Sequence, residues 1–488
     1  VIAEALRYGQ GHVRVGAVKA NLAQRTGPEF VVVAHGRPNV PGLQYSTREL
    51  IAAERDVLQM TREGKYQLEP LVSVAPTGRA RKELQAAGIQ AQTLQRFLIR
   101  AEEKTDQPRL FIVDESSLVS TKQYRELLKR LGPREKIIEV GDIHQHSSIE
   151  TARIFDEQQK GGMRTAHLDK IVRQVSPEMV AVVEKLRDGK AAEAIQDLTA
   201  QNRVSVVEKR TPRMNLIAEQ FAAQPEGTIV IDPSNESRRE LNGLIREKLQ
   251  GLGKLKPDFA VVRTLVARQD INKESRKLSA SYGEGTVVQF QRANKALGVA
   301  VREYVTVITR DTQKNTVTAE TEKGRRFTFN PKQHYGVEIY ETRALNLAEG
   351  ESIIFRKALN EHGIATGDRA TIQKLDRVGN VELVLEEKGR KLQINLRHLP
   401  HLDFAYASTS YSAQGATAER VLIHADTSAK GARQLLTKEM GYVGVSRSRT
   451  SVEIVTNDPE QLGKLLSRNE VKRTALSPKQ AAGYGVAL

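Results

Sequence analysis

The apolar run Leu110-Phe-Ile-Val113 leads into two adjacent acids, Asp114 and Glu115. At the end of a buried strand such a pair can share hydrolytic work. One carboxylate holds Mg2+ through water, and the other polarises a water for attack on a phosphoryl group. Two solvated acids at a strand end would look the same. The next apolar segment, Ile137-Ile-Glu-Val140, runs into Gly141-Asp-Ile-His-Gln145. A glutamine there can hydrogen-bond a γ-phosphate or its water; a tight turn with surface polars is the plainer alternative. Arg173 follows Ile171-Val, and Arg447 follows Tyr442-Val-Gly-Val-Ser446. A guanidinium aimed at a phosphoryl group neutralises transition-state charge, an effect worth roughly 10³–10⁵ in rate. Among 75 Lys and Arg, though, a surface cation is the default for any one position. His144 and His146 flank Gln145 with no Cys and no His/carboxylate cluster nearby, so a surface or DNA-proximal place is expected for them rather than metal ligation.

A second set of residues suits a nucleic-acid backbone. Ala75-Pro-Thr77-Gly78-Arg79-Ala80 joins a strand to a helix, where a hydroxyl and free N–H groups can meet a phosphate. Helix capping by Thr77 would use the same atoms. Thr93-Leu-Gln95 repeats the pattern more weakly. The polar, small-residue loop Tyr406-Ala-Ser-Thr409-Ser-Tyr411-Ser-Ala-Gln414-Gly415-Ala-Thr417 could touch both a nucleic acid and a nucleotide.

One expected part is absent. No stretch reads G-x-x-x-x-G-K-[ST], the loop whose backbone N–H groups cradle a triphosphate, whose Lys reaches its β/γ oxygens and whose Ser/Thr holds Mg2+. Gly64-Lys-Tyr-Gln-Leu-Glu-Pro-Leu71 runs straight into the strand at Val72. A strand–loop–helix unit needs on the order of 30 residues. Loss of a central strand would cost more than a domain's marginal stability. The expectation is therefore that a segment is missing from the chain here, with a descendant that has truly lost the loop as the alternative.

The elements that must position these residues follow from the pattern. Short apolar strands (Val72–Ala75, Leu110–Val113, Ile137–Val140) alternate with amphipathic helices (Thr121–Leu131, Pro177–Arg187), which predicts an α/β fold with a buried parallel sheet and ligands at its carboxyl edge. A second such unit begins at Thr228–Ile231 and the helix Glu236–Leu249, and resumes at Arg420–His424 and Val452–Val455. Between them, residues 260–400 alternate at period two with frequent turns, predicting an all-β insertion. Residues 1–70 read as a mostly helical region, with an extended piece at Phe30–Ala34 and a capping box at Ser46–Glu49 opening a helix to about Arg62. The expected domains are 1–70, 71–210, 211–259 with 401–470, 260–400, and a tail at 471–488.

Composition sets the bounds. The 488 residues suggest several domains, and a net charge of +16 favours a polyanionic partner. The chain has no Cys, which excludes disulfides, thiolate zinc sites and Cys nucleophiles. No apolar run reaches a membrane span and no signal peptide is visible, so membrane insertion is not expected and a cytoplasmic place is. Val1 opens inside what reads as an ongoing helix, so the chain is expected to be part of something larger.

In order, A-P-T-G-R-A, D-E-S-S, G-D-x-x-Q, V-R-Q, Q-G-x-T and Y-V-x-V-S-R-S-R resemble motifs Ia to VI of superfamily 1 helicases. Gly141–His146, Gly161–Gln174 and Asp403–Thr417 bring the resemblance closer to the helicase part of TraI/TrwC-type (MobF) conjugative relaxases, over roughly residues 45–470. The resemblance implies two RecA-like parallel-sheet domains with a β-rich, SH3-like insertion and a small helical N-terminal region. It implies ATP and Mg2+ as cofactors, and single-stranded DNA and a duplex junction as substrate. An upstream relaxase domain of the same polypeptide and the conjugation machinery (type IV secretion, coupling protein) are the implied partners. Movement would be 5′ to 3′. By residue, Asp114 would hold Mg2+ together with a Ser/Thr of the absent loop, and Glu115 would be the general base. Gln145 would sense the γ-phosphate, and Arg173 and Arg447 would act as fingers. Thr77, Gly78, Arg79, Thr93, Thr409, Tyr411 and Gln414 would lie along the DNA, with Gln414 and Gly415 also near the nucleotide. Tyr411 stands where many relatives have His. A vestigial, non-hydrolysing helicase-like module that binds single-stranded DNA and carries a secretion signal is the alternative within the same family. The nicking relaxase itself finds no support, since its three-His metal site is not in the sequence.

Overall fold

The computed structural model describes residues 30–33, 44–47, 71–100, 109–132, 134–148, 153–268, 271, 274–334, 336–386, 389–396 and 401–468. Contacts divide the chain into two compact units, Val1–Glu208 with Ala413–Leu488, and Lys209–Ser412.

The first unit carries a four-stranded parallel sheet in the order Ala91–Thr93, Leu71–Ala75, Leu110–Val113 and Lys136–Glu139. Its inward residues pack into a core of Val74, Leu94, Phe111, Val113, Val119, Tyr124 and Leu127. Phe97 meets Phe111 edge to face at 5.7 Å. Among the described residues, Lys136–Glu139 has a strand on one side only. Helices start where the sequence supplies caps: Thr77 accepts from Ala80 N, and Thr93 from Arg96 N. Ser120 and Gln123 form a reciprocal capping box for Thr121–Leu128. That helix stops three residues short of the predicted Leu131, because Lys129–Leu131 continues as turns ahead of Gly132.

A second parallel sheet of this unit sets Ser448–Thr456 between Ala418–Ala425 and Val204–Val206. The strand Val204–Val206 is not among the expected ones, since a three-residue element is too short to show a period. Helices Pro177–Arg187, Ala191–Ala200, Lys438–Ser446 and Pro459–Leu466 belong to the same unit. Gly463 permits a close approach there, since a Cβ at that position would lie 2.9 Å from Ala192 Cα.

Near the start of the chain, Phe30–Val33 pairs antiparallel with Gln44–Thr47. The extended piece at 30–33 matches expectation, but Ser46 and Thr47 do not begin a helix. They sit in a strand, where Ser46 pairs with Val31 and Thr47 with Phe30, and β-branched runs favour such pairing. The predicted helix beyond Thr47, the junction from residue 64 to residue 70, and the tail at 471–488 lie outside the described residues.

In the second unit, Thr228–Ile231 runs parallel to Ala407–Ser408 and is followed by the helix Asn235–Gly251. The predicted all-β insertion is present as two antiparallel sheets. One has six strands, in the order Arg326–Phe329, Thr316–Thr321, Tyr304–Asp311, Val287–Phe290, Val337–Leu347 and Ala260–Ala267. The other has five, in the order Lys391–Asn395, Asn380–Leu385, Arg369–Leu375, Ser352–Phe355 and Leu402–Phe404. One apolar core lies on the six-stranded sheet alone, and a second packs the five-stranded sheet against Val262, Leu345 and Leu347 of the first. A buried polar network fastens the helix to the second sheet. Arg246 donates to Glu351 at 2.8 Å and to Asp258 at 2.5 Å, and the Tyr406 hydroxyl donates to Glu351 at 2.6 Å.

Candidate functional site

Asp114 and Glu115 leave the strand Leu110–Val113 in a turn held by both neighbouring strands. Asp114 N donates to Val74 O at 3.1 Å and Ser116 N to Val140 O at 2.8 Å. Glu115 takes φ +51°, a left-handed conformation that costs a non-glycine residue about 1–3 kcal/mol and persists only where surroundings enforce it. Its N–H donates to Asp114 Oδ1 at 3.0 Å. Burial, and the neighbouring charge of Asp114, push the Glu115 carboxyl above the ordinary carboxylate range, against the pull of Arg447 and Gln414.

Gln414, buried, reaches the same carboxylate: its Nε2 donates to Glu115 Oε2 at 3.3 Å, while its Oε1 has no partner. Arg79 Nη1 donates to Gln414 O at 3.3 Å. Gly415 follows at φ +79°, and a Cβ there would come within 3.1 Å of Arg79 Cδ. The small residue thus lets this loop lie against the helix Gly78–Ala86.

Arg447 caps the helix Lys438–Ser446 and is 2% exposed. It donates to Val443 O at 3.1 Å, Ala416 O at 3.4 Å and Ser446 Oγ at 3.1 Å. Burial and the adjacent Arg173 pull its pKa down to about 10, while Glu115 acts in the opposite direction. Arg447 and Glu115 therefore sense each other's charge inside one unit. Arg173 Nη1 donates to Ser446 O at 2.8 Å, so in this arrangement it braces the helix end that carries Arg447.

Gln145 Nε2 donates to Asp142 Oδ2 at 3.1 Å, and its Oε1 is buried without a partner. Asp142 was only part of a motif in the sequence, yet it organises this corner. Its Oδ1 accepts from His144 N at 2.8 Å and its Oδ2 from the Tyr442 hydroxyl at 3.0 Å. Burial and Asp142 push the Tyr442 phenol well above its usual range. His144 meets the Tyr442 ring edge to face at 6.2 Å and His146 is buried, so neither histidine is a free surface group. Gln174 is likewise only the last residue of the V-R-Q motif in the sequence. Buried, it donates to Ser446 O at 3.2 Å and Ser448 O at 2.6 Å. The signals for Asp142, Tyr442 and Gln174 were their places in G-D-x-x-Q, Y-V-x-V-S-R and V-R-Q. Nothing in one sequence says which polar residues of a motif face inward.

The residues expected along DNA are placed as follows. Thr77 and Thr93 use their hydroxyls as helix caps. Gly78 is the first residue of its helix. In the second unit, Thr409 Oγ1 bonds Ser412 N at 3.2 Å and Ser412 Oγ at 3.1 Å, and half-buried Tyr411 lies in the short helix Ser410–Ala413. The structure brings Glu115, Gln414, Gly415, Arg79 and Arg447 together, with Asp142, Gln145 and Tyr442 at an adjoining corner.

The donor set fits one side of a magnesium nucleotide. Among the described residues no three carboxylates or imidazoles gather to hold a metal. Mg2+ in such sites commonly takes one carboxylate, waters and substrate phosphates, and Asp114 can be that carboxylate. The loop that would cradle the phosphates has no counterpart in the sequence.

Comparison with known proteins follows the same segments. A family model described as an AAA domain matches residues 47–209, and one described as a UvrD-like helicase C-terminal domain matches residues 404–455. The multifunctional conjugation protein TraI of Escherichia coli is 24% identical over 470 residues, covering 84% of this chain and 26% of that protein. The conjugal transfer protein TraA of Rhizobium radiobacter is 23% identical over 433 residues, covering 86% of this chain and 32% of that protein. The chain thus spans about a quarter to a third of the length of these relatives. Among solved structures, Pif1 helicase from Candida albicans shares 13% identity at a TM-score of 0.42, covering 84% of this chain and 90% of that one. Bacteroides Pif1 bound to ssDNA shares 15% at a TM-score of 0.35, covering 83% and 86%.

Proposed function

The chain belongs to the superfamily 1 DNA helicase domains of the TraI type, and we propose that it works as an ATP-dependent translocase on single-stranded DNA. The observation that carries this reading is the gathering of Gln414 and Arg447 around Glu115, which leaves the carboxyl end of the strand Leu110–Val113, a place where α/β proteins bind ligands. In this reading ATP supplies the phosphoryl group and Asp114 holds Mg2+ through water. Glu115 accepts the proton of the attacking water, for which an ionised carboxylate is required. Arg447 and Arg173 offset charge that develops on the transferred group, and Gln145 reports on its presence. Thr77, Gly78, Arg79, Thr93, Thr409, Tyr411 and Gln414 meet the DNA or connect it to the nucleotide.

The proposed division is a first RecA-like domain at 71–210 and a second at 211–259 with 401–470, interrupted by the β-rich insertion at 260–400. Among the described residues Lys136–Glu139 is one of the two edges of its sheet, so a further parallel strand can be accommodated beside it if a strand–loop–helix unit is missing from the chain. The proposed setting is conjugative transfer, with 5′ to 3′ movement, a relaxase domain in the same polypeptide, and the secretion machinery and coupling protein as partners in the cytoplasm. Among the described residues no helix is long and apolar enough to cross a membrane.

One observation favours the second reading, a non-hydrolysing DNA-binding and secretion-signal module: the absence of G-x-x-x-x-G-K-[ST] from the chain. Strand displacement separates the two. A 5′-tailed duplex should be unwound on addition of Mg-ATP and not by ADP. Binding of that substrate with no displacement under any nucleotide would remove the motor and leave the module.

A further inference from the structure

A cluster of arginines lies in the second unit, apart from the residues assigned above. Arg238 and Arg356 share one carboxylate oxygen, Asp403 Oδ2, at 2.7 and 3.1 Å. The other oxygen of Asp403 accepts its neighbour's N–H, Phe404 N, at 3.0 Å. Arg238 is 3% exposed, and its Nε and Nη1 have no partner. Burial, then the nearby Arg343 and Arg238, holds Arg239 below its usual range, and Arg369, whose Nη2 donates to Ser408 Oγ at 2.7 Å, adds to the field at Arg356. Burial, then the proximity of Arg238, holds Arg356 below its usual range, while the two guanidiniums keep Asp403 ionised despite its burial.

The acids facing this cluster are Asp403 and the half-exposed Glu341, which lies 3.5 Å from Arg343. These two carboxylates pair with three of the five guanidiniums, and Glu341 is shared with Arg268 at 3.6 Å. Arg238 and Arg239 also follow directly on the first turn of the helix Asn235–Gly251, a turn that carries Glu236. That end of a helix carries partial positive charge, so cations there are disfavoured. A chain that concentrates like charge on a helix N-terminus, and buries part of it, gains when an anion arrives.

We propose that Arg238, Arg239, Arg343, Arg356 and Arg369 form a phosphodiester-binding site for a single nucleic-acid strand. Arg239, Arg343 and Arg356 are the accessible members, with side-chain exposures of 39% for Arg343 and 32% for Arg356. Asp403 is a positioning residue that fixes two of the guanidiniums side by side. The inference rests on the DNA-binding part of the proposed function and adds a site to it.

The test is fluorescence anisotropy of the whole chain with a labelled oligothymidylate, titrated across a series of salt concentrations. Each phosphate contact removed should flatten the slope of log K against log salt by about 0.7 for a single strand. Arg239→Ala with Arg343→Ala should therefore lose roughly 1.4 in slope, and the paired Lys substitutions should restore most of it. Lys464→Ala, an exposed lysine in the other unit, should leave the slope unchanged. Circular dichroism of each variant establishes that the fold is retained. An unaltered slope in the double Ala variant, with wild type binding normally, overturns this site alone. Full competition by inorganic phosphate at matched ionic strength would make it a free-anion site and overturn the strand reading. Absence of oligonucleotide binding by wild type would overturn both this site and the proposed function.

Discussion

Replacing Arg246 with Leu should be among the most damaging single changes in the second unit. Arg246 pairs with Glu351, which is fully buried, and with Asp258, which is 41% exposed on its side chain. Removing one partner of a buried pair leaves an uncompensated charge, at a cost of about 3–5 kcal/mol. Asp258 can turn to water; Glu351 keeps only the Tyr406 hydroxyl and nearby backbone. With a guanidinium m-value of roughly 5 kcal/mol/M, the unfolding midpoint of this unit should fall by about 0.6–1 M. The pH dependence gives a second check. Burial already raises the Glu351 carboxyl above its ordinary range, and Tyr406 and Arg246 oppose that shift. Without Arg246 the folded pKa rises further, so the folded variant binds a proton more readily than the unfolded chain. Its stability deficit should be largest at neutral pH and shrink as pH falls through the raised folded pKa. Guanidinium titrations at neutral pH and pH 5, followed by circular dichroism, measure this. A midpoint shift under 0.2 M, or a deficit that grows on acidification, would refute the reasoning.

Three further outcomes follow from the site. Gly141→Ala places a Cβ 3.0 Å from Phe155 Cε1 and 3.1 Å from Ser117 N, a backbone atom that cannot yield cheaply; unfolding titrations should show a loss of about 1–3 kcal/mol. Gln174→Ala removes one of the two side-chain donors of Ser446 O, which keeps Arg173 Nη1, and the 2.6 Å side-chain donor of Ser448 O. It should cost about 1–3 kcal/mol in the same assay and lower turnover more than it raises KM for ATP, because it loosens the helix end carrying Arg447. The raised pKa of Glu115 should appear in the pH profile of hydrolysis: the carboxylate must be ionised to act, so activity should fall on acidification at a pH above the ordinary carboxylate range. An acid limb at that ordinary value would argue for a different base.

The strands were the most legible part of the sequence. Leu110–Val113 and Thr228–Ile231 form at the predicted residues, because short apolar runs bounded by turn residues have few other uses. The helix Pro177–Arg187 also matches, with Ser176 as its cap and Pro at its start. The insertion was readable as all-β from its alternation, but its division into two sheets depends on pairings between strands far apart in sequence, such as Ala260–Ala267 with Val337–Leu347. Ser46 misled because its capping pattern also suits a strand end, and the choice is made by its partner, Phe30–Val33. In the site, motif order singled out Glu115, Gln145, Gln414 and Arg447. It did not show that Tyr442 and Gln145 would meet on Asp142, since that contact joins residues 300 positions apart.

The central claim is that Glu115 and Arg447 serve one phosphoryl-transfer site. Steady-state release of phosphate from Mg-ATP, with and without single-stranded DNA, tests it most directly when wild type is compared with Glu115→Gln. Stimulation by DNA in wild type, abolished in the variant while DNA affinity is retained, is the predicted result. Equal phosphate release by both proteins, or none from wild type at saturating DNA, would contradict it.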